Sequence, residues 1–322
     1  MSGAEAEVRF FSSREGWLAA RKQSLGASDV ARVFTERVSE FALWAEKTGR
    51  AEPEFPPLLS EVGLALEPVS RRWAGRYFEA LPGTLLARAT WLDSEIMMAR
   101  RADRLLSATP DTIFMVILAG AAGNESWLCQ HKTIDRTQAW KIESGPEAYA
   151  WTQVQAELLC IPQCERAWVS YLVGNGYDAE RDFRVFEVVP DPEFQARILA
   201  FAERFATCVN TDAPPEPGEL DDVHAVLATM FPPRVPRRAG LLPAEHEPDV
   251  ERWRQIELVM DQLEREKQGI RNRLEYAMSE AGLEEATVAL DEDGGPTTQP
   301  ARLLRTQRKD GVVVFQKKEP KG

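Results

Sequence analysis

The sequence predicts an α/β protein with a central mixed β-sheet flanked by helices, followed by a C-terminal extension of one long helix and a β-hairpin. Three observations lead to this prediction. Helical patterns, a group of β-type runs, another helix, two more strands and a final helix follow one another over residues 1–212. Proline-rich stretches then mark a connector over 213–249. Beyond it, residues 250–322 contain a long near-heptad apolar pattern and an Asp-Gly turn signal.

In chain order, helices are expected before the first strand of the sheet, between two of its strands and after its last strand. Ser12 or Ser13 suits the N-cap of the first helix, and Ser28 or a residue near it suits that of the second, because serine hydroxyls accept hydrogen bonds from the free amides of a first turn. Gly49 suits the end of the third helix as a C-cap. The predicted ranges are 13–22, 29–34, 41–49, 60–78, 146–159 and 192–209, with 250–282 in the tail.

Short apolar runs bounded by turn residues predict the strands. The segment AGAAGNES at 119–126 is typical of a hairpin loop, and Gly174-Asn175-Gly176 of a tight turn. The predicted strands cover 84–91, 96–100, 111–118, 126–132, 167–172 and 183–188. In the tail, strands over 302–307 and 312–316 flank the turn 309–311 and form a basic hairpin.

Composition and charge describe an ordinary soluble protein. The chain is 44% hydrophobic and 28% charged, with no apolar run near the roughly 20 residues of a membrane span and no apolar secretory segment. Its four cysteines form no CxxC pair, which favours reduced, buried thiols and a cytoplasmic location. Three scattered histidines are too few for a zinc site. The net charge of −12 argues against a general nucleic-acid coat but permits a locally basic channel.

Asp111, Gln130 and Lys132 form the pattern that points to chemistry. Gln130 and Lys132 lie two residues apart, so they share a face if 126–132 is a strand. Asp111 begins a neighbouring strand and can join them there. Oxygen ligands of this kind hold Mg²⁺, and a lysine beside the metal can orient or activate a water. The layout is that of a two-metal phosphodiester nuclease. Asp93 and Asp103 are competing acids around the sheet, without a supporting motif.

Further motifs in a fixed order give a family resemblance over about residues 8–210. In chain order they are Trp17-x-x-x-Arg21, Gly26-Ala27-Ser28, Gly63-x-x-x-Glu67, Thr109-Pro110-Asp111, Gln130-x-Lys132 and Gln153-Val154-Gln155. With these motifs the chain resembles the YqaJ viral recombinase family, the lambda-type alkaline exonuclease branch of the PD-(D/E)XK nucleases. The resemblance implies a PD-(D/E)XK nuclease core and does not cover the tail beyond about 213.

The resemblance also implies an activity and its partners. It implies a Mg²⁺-dependent exonuclease, with Mn²⁺ as a substitute, that digests one strand of duplex DNA from the 5′ end. The remaining 3′ single strand would pass to a partner annealing protein. It further implies a ring-shaped homotrimer that encloses DNA ends, encoded by a phage or prophage and located in the cytoplasm of a bacterial host.

Roles for the site residues follow from the same resemblance. It implies that Asp111 bridges metal ions, that Glu67 is the second acidic ligand, and that Gln130 occupies a further ligand position. The backbone carbonyl of His131, rather than its imidazole, would reach a metal. Lys132 would stabilise the attacking hydroxide or the charge that develops on the scissile phosphate.

The remaining motif residues are expected around these ligands. Gln153 would hydrogen-bond the metal-bound water or the nearby strand, and Gln155, two residues on, would face elsewhere on the helix. Arg21 and Ser28, with Thr109, would hold the 5′-terminal phosphate of the DNA, because a guanidinium, a hydroxyl and the amides of a helix N-terminus suit an anion.

Gln130 departs from the family pattern, which has Glu at this position. An uncharged amide oxygen binds Mg²⁺ more weakly than a carboxylate does. Two hypotheses therefore remain open: an active 5′→3′ exonuclease, or a DNA-end-binding protein with a weakened or inactive nuclease site that loads an annealing partner. A single-strand-specific or endonucleolytic nuclease is a third, weaker option.

Overall fold

The computed structural model describes residues 7–52, 57–90, 96–101, 103, 105–121, 123–174, 182–231, 241–281, 285–290, 296–307 and 313–318. The chain divides into two compact units, residues 1–235 and 236–322, which are described separately. Several predicted features lie outside the described residues: Asp93, the turn at 175–176, the proline-rich stretch at 232–238 and the Asp-Gly turn at 309–311.

The first six helices of the first unit follow the predicted order, and a seventh was not predicted. They are α1 (Arg14–Lys22), α2 (Ala27–Phe34), α3 (Glu40–Lys47), α4 (Pro57–Glu79), α5 (Ala148–Cys160), α6 (Pro192–Asn210) and α7 (Asp222–Met230). Ser13 caps α1 by accepting a hydrogen bond from the amide of Gly16 at 3.2 Å. Of the predicted caps for the second helix, Ser28 or a residue near it, Ser28 itself is wrong. Gly26 is the N-cap of α2, and the Asp29 carboxylate accepts a hydrogen bond from its amide at 3.0 Å, so the helix begins earlier than predicted.

The strands of the first unit form two sheets rather than the single central sheet predicted. In chain order the strands are β1 (Glu7–Phe11), β2 (Leu25–Gly26), β3 (Thr84–Ala89), β4 (Ile96–Arg100), β5 (Leu106–Ala108), β6 (Thr112–Leu118), β7 (Asn124–Ile134), β8 (Arg166–Val173) and β9 (Phe183–Val188). The larger sheet has the order β3-β6-β7-β8-β9 and is mixed, because β7 and β8 are parallel. The smaller sheet has the order β1-β4-β5-β2. The run at 96–100 belongs to the smaller sheet because it pairs with β1 and β5, which are short strands that the sequence pattern did not predict.

Helices cover both faces of the larger sheet. On one face, Phe78 of α4 packs edge-on against the rings of Phe114 and Trp127 in a separate aromatic cluster. On the other face, α5 buries Val154 among the side chains of Val169 and Tyr171 in the main core. Alternation along β7 therefore directs odd-numbered residues toward α4 and even-numbered residues toward α5.

Helix α7 lies in the segment that was predicted as a connector. Val223 and Val226 of this helix are buried in the main core. The Asp222 carboxylate also accepts a hydrogen bond from the backbone amide of Ser39 at 2.8 Å. This helix thus belongs to the packed first unit.

The second unit consists of a long helix and a small sheet. Helix α8 spans Glu247–Glu280. The strands β10 (Glu285–Leu290), β11 (Pro296–Gln307) and β12 (Val313–Lys318) form an antiparallel sheet in that order. The predicted hairpin corresponds to β11 and β12, and β10 adds a third strand. In the part of the chain that the structure describes, no helix has both the length and the apolar character needed to cross a membrane.

Candidate functional site

A cleft of about 540 Å³ lies among α1, α2, α4, α5 and the strand β7. Nearly all of the predicted site residues line it: Arg21, Ser28, Glu67, Thr109, Asp111, Gln130, Lys132 and Gln153. A second pocket of about 250 Å³ is lined by His131 together with Glu67, Asp111, Gln130 and Lys132. The residues of the separate sequence motifs are therefore brought together in one region of the first unit.

Asp111 and Gln130 are neighbours across two strands. Thr112 pairs with Cys129 in the antiparallel register of β6 and β7, which places the preceding Asp111 beside Gln130. One oxygen of the Asp111 carboxylate, Oδ2, accepts a hydrogen bond from the backbone amide of His131 at 2.7 Å, and the Gln130 side chain donates another to the carboxylate. The backbone of β7 thus fixes the orientation of this acid.

Burial is the largest influence on the pKa of Asp111 and raises it above its ordinary value. The charge of Lys132, the two hydrogen bonds from β7 and the charge of Arg71 oppose this rise without cancelling it. Additional positive charge at the carboxylate would therefore favour its ionised form.

Arg71 of α4 supports the turn that carries Asp111, and sequence reasoning did not identify it as a site residue. Its Nε donates to Thr112 Oγ1 at 2.9 Å, and its guanidinium also donates to the backbone carbonyl of Asp111 at 3.2 Å. Arg71 lines the cleft as well. It is therefore both an anchor for the turn and a source of positive charge beside the acid.

Lys132 belongs to a chain of hydrogen bonds that leads into α5. Its ammonium group donates to Gln153 Oε1 at 3.0 Å, and Gln153 Nε2 donates to Glu157 Oε1 at 2.9 Å. Sequence reasoning missed Glu157. The available signal was its position four residues after Gln153, which places both side chains on the same face of a helix.

Glu157 is a fully buried acid that lines the cleft. Burial, and next the negative charge of Asp111, raise the pKa of Glu157 to about 8. The hydrogen bond from Gln153 and the charge of Lys132 oppose this rise only in part. The site therefore contains two buried carboxyl groups that disfavour each other's ionisation.

The His131 imidazole serves the fold. Its Nε2 lies 3.0 Å from Thr112 Oγ1 and its Nδ1 lies 2.6 Å from Ser170 Oγ. Burial, followed by the charges of Arg71 and Lys132, lowers the pKa of His131 to about 3, so the ring is neutral. The use of the His131 backbone carbonyl as a metal ligand stays a prediction.

Arg21 and Ser28 lie together at the start of α2. The Arg21 guanidinium donates to Ser28 Oγ at 2.5 Å and lies 3.6 Å from Asp29 Oδ1. Burial acts to raise the pKa of Asp29, but the charges of Lys47 and Arg21 outweigh it and hold the pKa below its ordinary value. A salt-bridged cluster around an ionised Asp29 thus positions Arg21 at the cleft.

Thr109 connects this cluster to the turn before Asp111. Its Oγ1 accepts a hydrogen bond from the Trp17 indole at 3.0 Å. The Arg21 guanidinium lies over the same indole ring, 5.2 Å from its centre. Trp17 therefore contacts two of the predicted phosphate-binding residues, Arg21 and Thr109.

Glu67 and Gly63 occupy one edge of the smaller pocket. Glu67 is half-buried and lines both pockets. A side chain added at Gly63 would meet no atom of the described residues within 4 Å, so close packing within this chain does not explain the glycine. The competing acid Asp103 is exposed and binds Arg101 Nε at 2.6 Å.

Gln155 and the aromatic residues of α5 have mostly structural contacts. The Gln155 amide donates to the Val189 carbonyl at 2.7 Å, whereas Gln153, on the same helix, lines the cleft. Trp151 packs against Phe194. Tyr149 lines the cleft, with Lys132 Nζ 5.8 Å from the centre of its ring.

The oxygen atoms of the cleft suit a hard cation such as Mg²⁺. Among the described residues, no group of three or more His, Cys, Asp or Glu side chains could hold a metal ion. Mg²⁺ does not need such a cage, since it binds through one or two carboxylates and keeps several waters. Gln130 Oε1 and Glu157 Oε2 are buried and have no hydrogen-bond partner within the described part of the chain. With the Asp111 carboxylate, they fit this cation.

Comparisons with known proteins find similar solved structures. No protein-family model and no curated protein matches the chain. The structure is similar to that of an alkaline exonuclease, LHK-Exo, from Laribacter hongkongensis, with a TM-score of 0.45 and 17% sequence identity over 62% of this chain and 94% of that chain. The complex of LHK-Exo with dAMP gives a TM-score of 0.43 and 16% identity over the same shares.

Proposed function

We propose that this protein is a Mg²⁺-dependent deoxyribonuclease that degrades one strand of duplex DNA from the 5′ end. One observation carries the proposal: a single cleft contains both an acid–amide–lysine group, formed by Asp111, Gln130 and Lys132, and an anion cradle, formed by Arg21 and Ser28. The first group suits phosphodiester hydrolysis and the second suits a terminal phosphate.

Asp111 would hold the cation together with Glu67, the Gln130 amide oxygen and the His131 carbonyl. When bound, Mg²⁺ or Mn²⁺ supplies Lewis-acid chemistry, which polarises the scissile phosphate and acidifies a water. The hydrogen bond from the His131 amide, at 2.7 Å, keeps the Asp111 carboxylate turned toward β7 while it serves as a ligand.

Lys132 would act on the phosphate directly. Gln153 holds its ammonium group at 3.0 Å, on the same face of β7 as Gln130. A fixed ammonium group stabilises the negative charge that develops on the scissile phosphate at no further cost of reorganisation. Tyr149, beside Lys132, offers a ring for stacking on a terminal base.

Arg21 and Ser28 would bind the 5′-terminal phosphate. Asp29 offsets part of the Arg21 charge, yet the cleft is also lined by Arg14, Arg32 and Arg71. Local positive charge of this kind attracts DNA even though the chain carries a net charge of −12. Salt screens charges that lie farther than about 8 to 10 Å from a phosphate at physiological ionic strength, so the charges nearest to the DNA dominate.

The presence of an amide, Gln130, where the family pattern has a carboxylate favours a second candidate function. An amide in place of a carboxylate lowers the charge available to the cation, so the protein could bind DNA ends with weakened or absent cleavage and load a single-strand annealing partner. In both cases we propose action on duplex DNA ends in phage-type recombination, as a homo-oligomer such as a ring-shaped trimer. Exposed apolar side chains along α8, including Trp253, Met260 and Leu263, support self-association.

Cleavage of labelled duplex tests the proposal and separates the two functions. Linear duplex labelled at one 5′ or one 3′ end, and closed circular DNA as a control for endonuclease activity, are incubated with Mg²⁺, Mn²⁺ or EDTA. We expect mononucleotides from 5′ ends and intact circles. Asp111→Ala should abolish cleavage, whereas Asp103→Ala, which removes an exposed acid, should not. DNA-end binding without cleavage under either metal would support the second function, and absence of both would overturn both.

A further inference from the structure

We propose that Glu157 of α5 supplies the carboxylate that β7 lacks at Gln130, so that Glu157 joins Asp111 and Glu67 in carrying the negative charge that binds the divalent cation. The inference rests on the proposed function and names a ligand that sequence motifs did not. It also explains how a site with an amide on its central strand can hold a cation.

The first observation concerns Gln130. Its side chain is 3% exposed and donates to the Asp111 carboxylate, while its Oε1 has no hydrogen-bond partner among the described residues. An amide oxygen can join the coordination of Mg²⁺, but it adds no charge. Strand β7 therefore adds no carboxylate at position 130 to those of Asp111 and Glu67.

The second observation concerns Glu157. Both Gln130 and Glu157 line the same cleft as Asp111. Gln153 Nε2 holds Glu157 Oε1 at 2.9 Å, whereas Oε2 is buried and has no partner in the described residues. One oxygen is thus fixed by the helix and the other is left for a ligand in the cleft.

The energetics support a cation between these acids. A buried carboxylate without a positive partner is costly, and Glu157 lies near the like charge of Asp111. The nearest cation in the hydrogen-bond chain, Lys132, donates to Gln153 rather than to Glu157. A divalent cation in contact with both acids would offset the burial and the repulsion together.

The competing explanation is that Glu157 only orients Gln153 and, through it, Lys132. That role needs a hydrogen-bond acceptor at Oε1 and no negative charge. Glu157→Gln can keep the acceptor and removes the charge. The substitution therefore separates a ligand from an orienting residue.

Cation binding to the full-length protein tests the inference. Calorimetric titration with Mn²⁺, without DNA, is compared among the wild type, Glu157→Gln, the charge-restoring double variant Gln130→Glu with Glu157→Gln, and Glu203→Gln as a control on the exposed part of α6. We expect Glu157→Gln to bind Mn²⁺ at least about tenfold more weakly. The double variant should recover most of this affinity, and Glu203→Gln should match the wild type.

Several results would overturn the inference. They are unchanged Mn²⁺ affinity in Glu157→Gln, affinity that the double variant does not recover, or no Mn²⁺ binding by the wild type. Circular dichroism checks the fold of each variant, and the double variant keeps the wild-type charge in case Glu157→Gln does not fold. Failure of the proposed function is distinct: the wild type would then bind Mn²⁺ through Glu157 without cleaving DNA.

Discussion

The ammonium group of Lys132 donates a hydrogen bond to the side-chain oxygen of Gln153, with 3.0 Å between Nζ and Oε1. The bond joins β7 to α5 across the cleft, so the lysine is held by a residue that is itself anchored to Glu157. A lysine that is positioned in this way before the substrate arrives is suited to stabilise the charge of a transition state.

Lys132→Met should therefore lower the rate of DNA cleavage much more than it lowers DNA affinity. We expect a loss of roughly 100-fold to 1,000-fold in kcat, the range found when one preorganised donor is removed from a site. Single-turnover cleavage and a separate DNA-binding titration in Ca²⁺ measure the two quantities. Lys141→Met, which removes an exposed lysine, is the control. Equal losses of rate and affinity would indicate that Lys132 only attracts the DNA backbone.

Arg21→Ala should remove the preference for a 5′-phosphate. The guanidinium, which bonds Ser28 in the free protein, would exchange this contact for a charge-assisted bond to the phosphate. Such a bond contributes about 1.5 to 3 kcal/mol, so we expect wild-type cleavage of 5′-phosphorylated duplex to exceed that of 5′-hydroxyl duplex by roughly tenfold to a hundredfold.

Cleavage rates on 5′-phosphorylated and 5′-hydroxyl duplex are measured for the wild type, Arg21→Ala and Lys22→Ala. Lys22 is exposed and neighbours Arg21 in sequence, so its loss changes the net charge equally. The ratio of the two rates should fall toward one in Arg21→Ala alone. Equal wild-type rates on 5′-phosphorylated and 5′-hydroxyl duplex would show that Arg21 and Ser28 do not bind a terminal phosphate.

The part of the site that depends on local spacing was accessible from the sequence. Gln130 and Lys132 share a face because side chains alternate along any strand, and Gln153 and Gln155 diverge because residues two apart do so on any helix. Glu157 was not predicted. Its spacing from Gln153 places both side chains on one face of α5, but which face lies against β7 depends on tertiary packing and not on spacing within one segment.

The same distinction explains the corrections to the fold. The run at 96–100 was predicted as a strand, but its partners β1 and β5 contain only five and three residues. Strands this short show no clear alternation of apolar and polar residues, so the second sheet could not be predicted from the sequence. Helix α2 begins before Ser28 because the Asp29 carboxylate accepts a hydrogen bond from the Gly26 amide. Asp29 is held in this position by its ion pairs with Lys47 and Arg21, which are tertiary contacts that the local sequence does not specify.

Glu157 should make the metal-free protein less stable as the pH rises. Folding raises the pKa of Glu157 from 4.5 to about 8, chiefly through burial and then through the charge of Asp111. A carboxyl whose pKa is raised by folding binds its proton more tightly in the folded state. Its contribution to stability is fully present below pH 4.5 and is lost as the pH rises through about 8.

Denaturant unfolding in EDTA, repeated across this pH range, tests the prediction. Below pH 6.5 the lowered pKa of His131 acts in the opposite direction, because the buried ring stays neutral while the unfolded chain binds a proton. Between pH 6.5 and about 8 the free energy of unfolding should therefore decrease with pH in the wild type and should decrease less steeply in Glu157→Gln, which cannot lose this proton. Some slope should remain in the variant because burial also raises the pKa of Asp111. Identical slopes in the two proteins would show that Glu157 does not titrate as its surroundings indicate.

Truncation after residue 235 should preserve cleavage and reduce processivity or assembly. The second unit carries β11 and β12, whose sequences contain Arg302, Arg305, Lys317 and Lys318, and basic residues of this kind bind phosphates in a salt-dependent manner. Chain 1–235 should therefore cut DNA in shorter runs, or form a smaller oligomer by light scattering. Unchanged mass and unchanged run length would make the second unit dispensable for both.

A shorter truncation, to residues 1–212, should behave differently because it also removes α7. Val223 and Val226 are buried in the core of the first unit, and Asp222 accepts the hydrogen bond from the Ser39 amide. Loss of two buried valines should cost on the order of 3 kcal/mol or more of stability. Chain 1–212 should thus unfold at lower denaturant than chain 1–235 in chemical melts. Equal midpoints would mean that α7 adds nothing to the core, and that the segment after 212 is a connector after all.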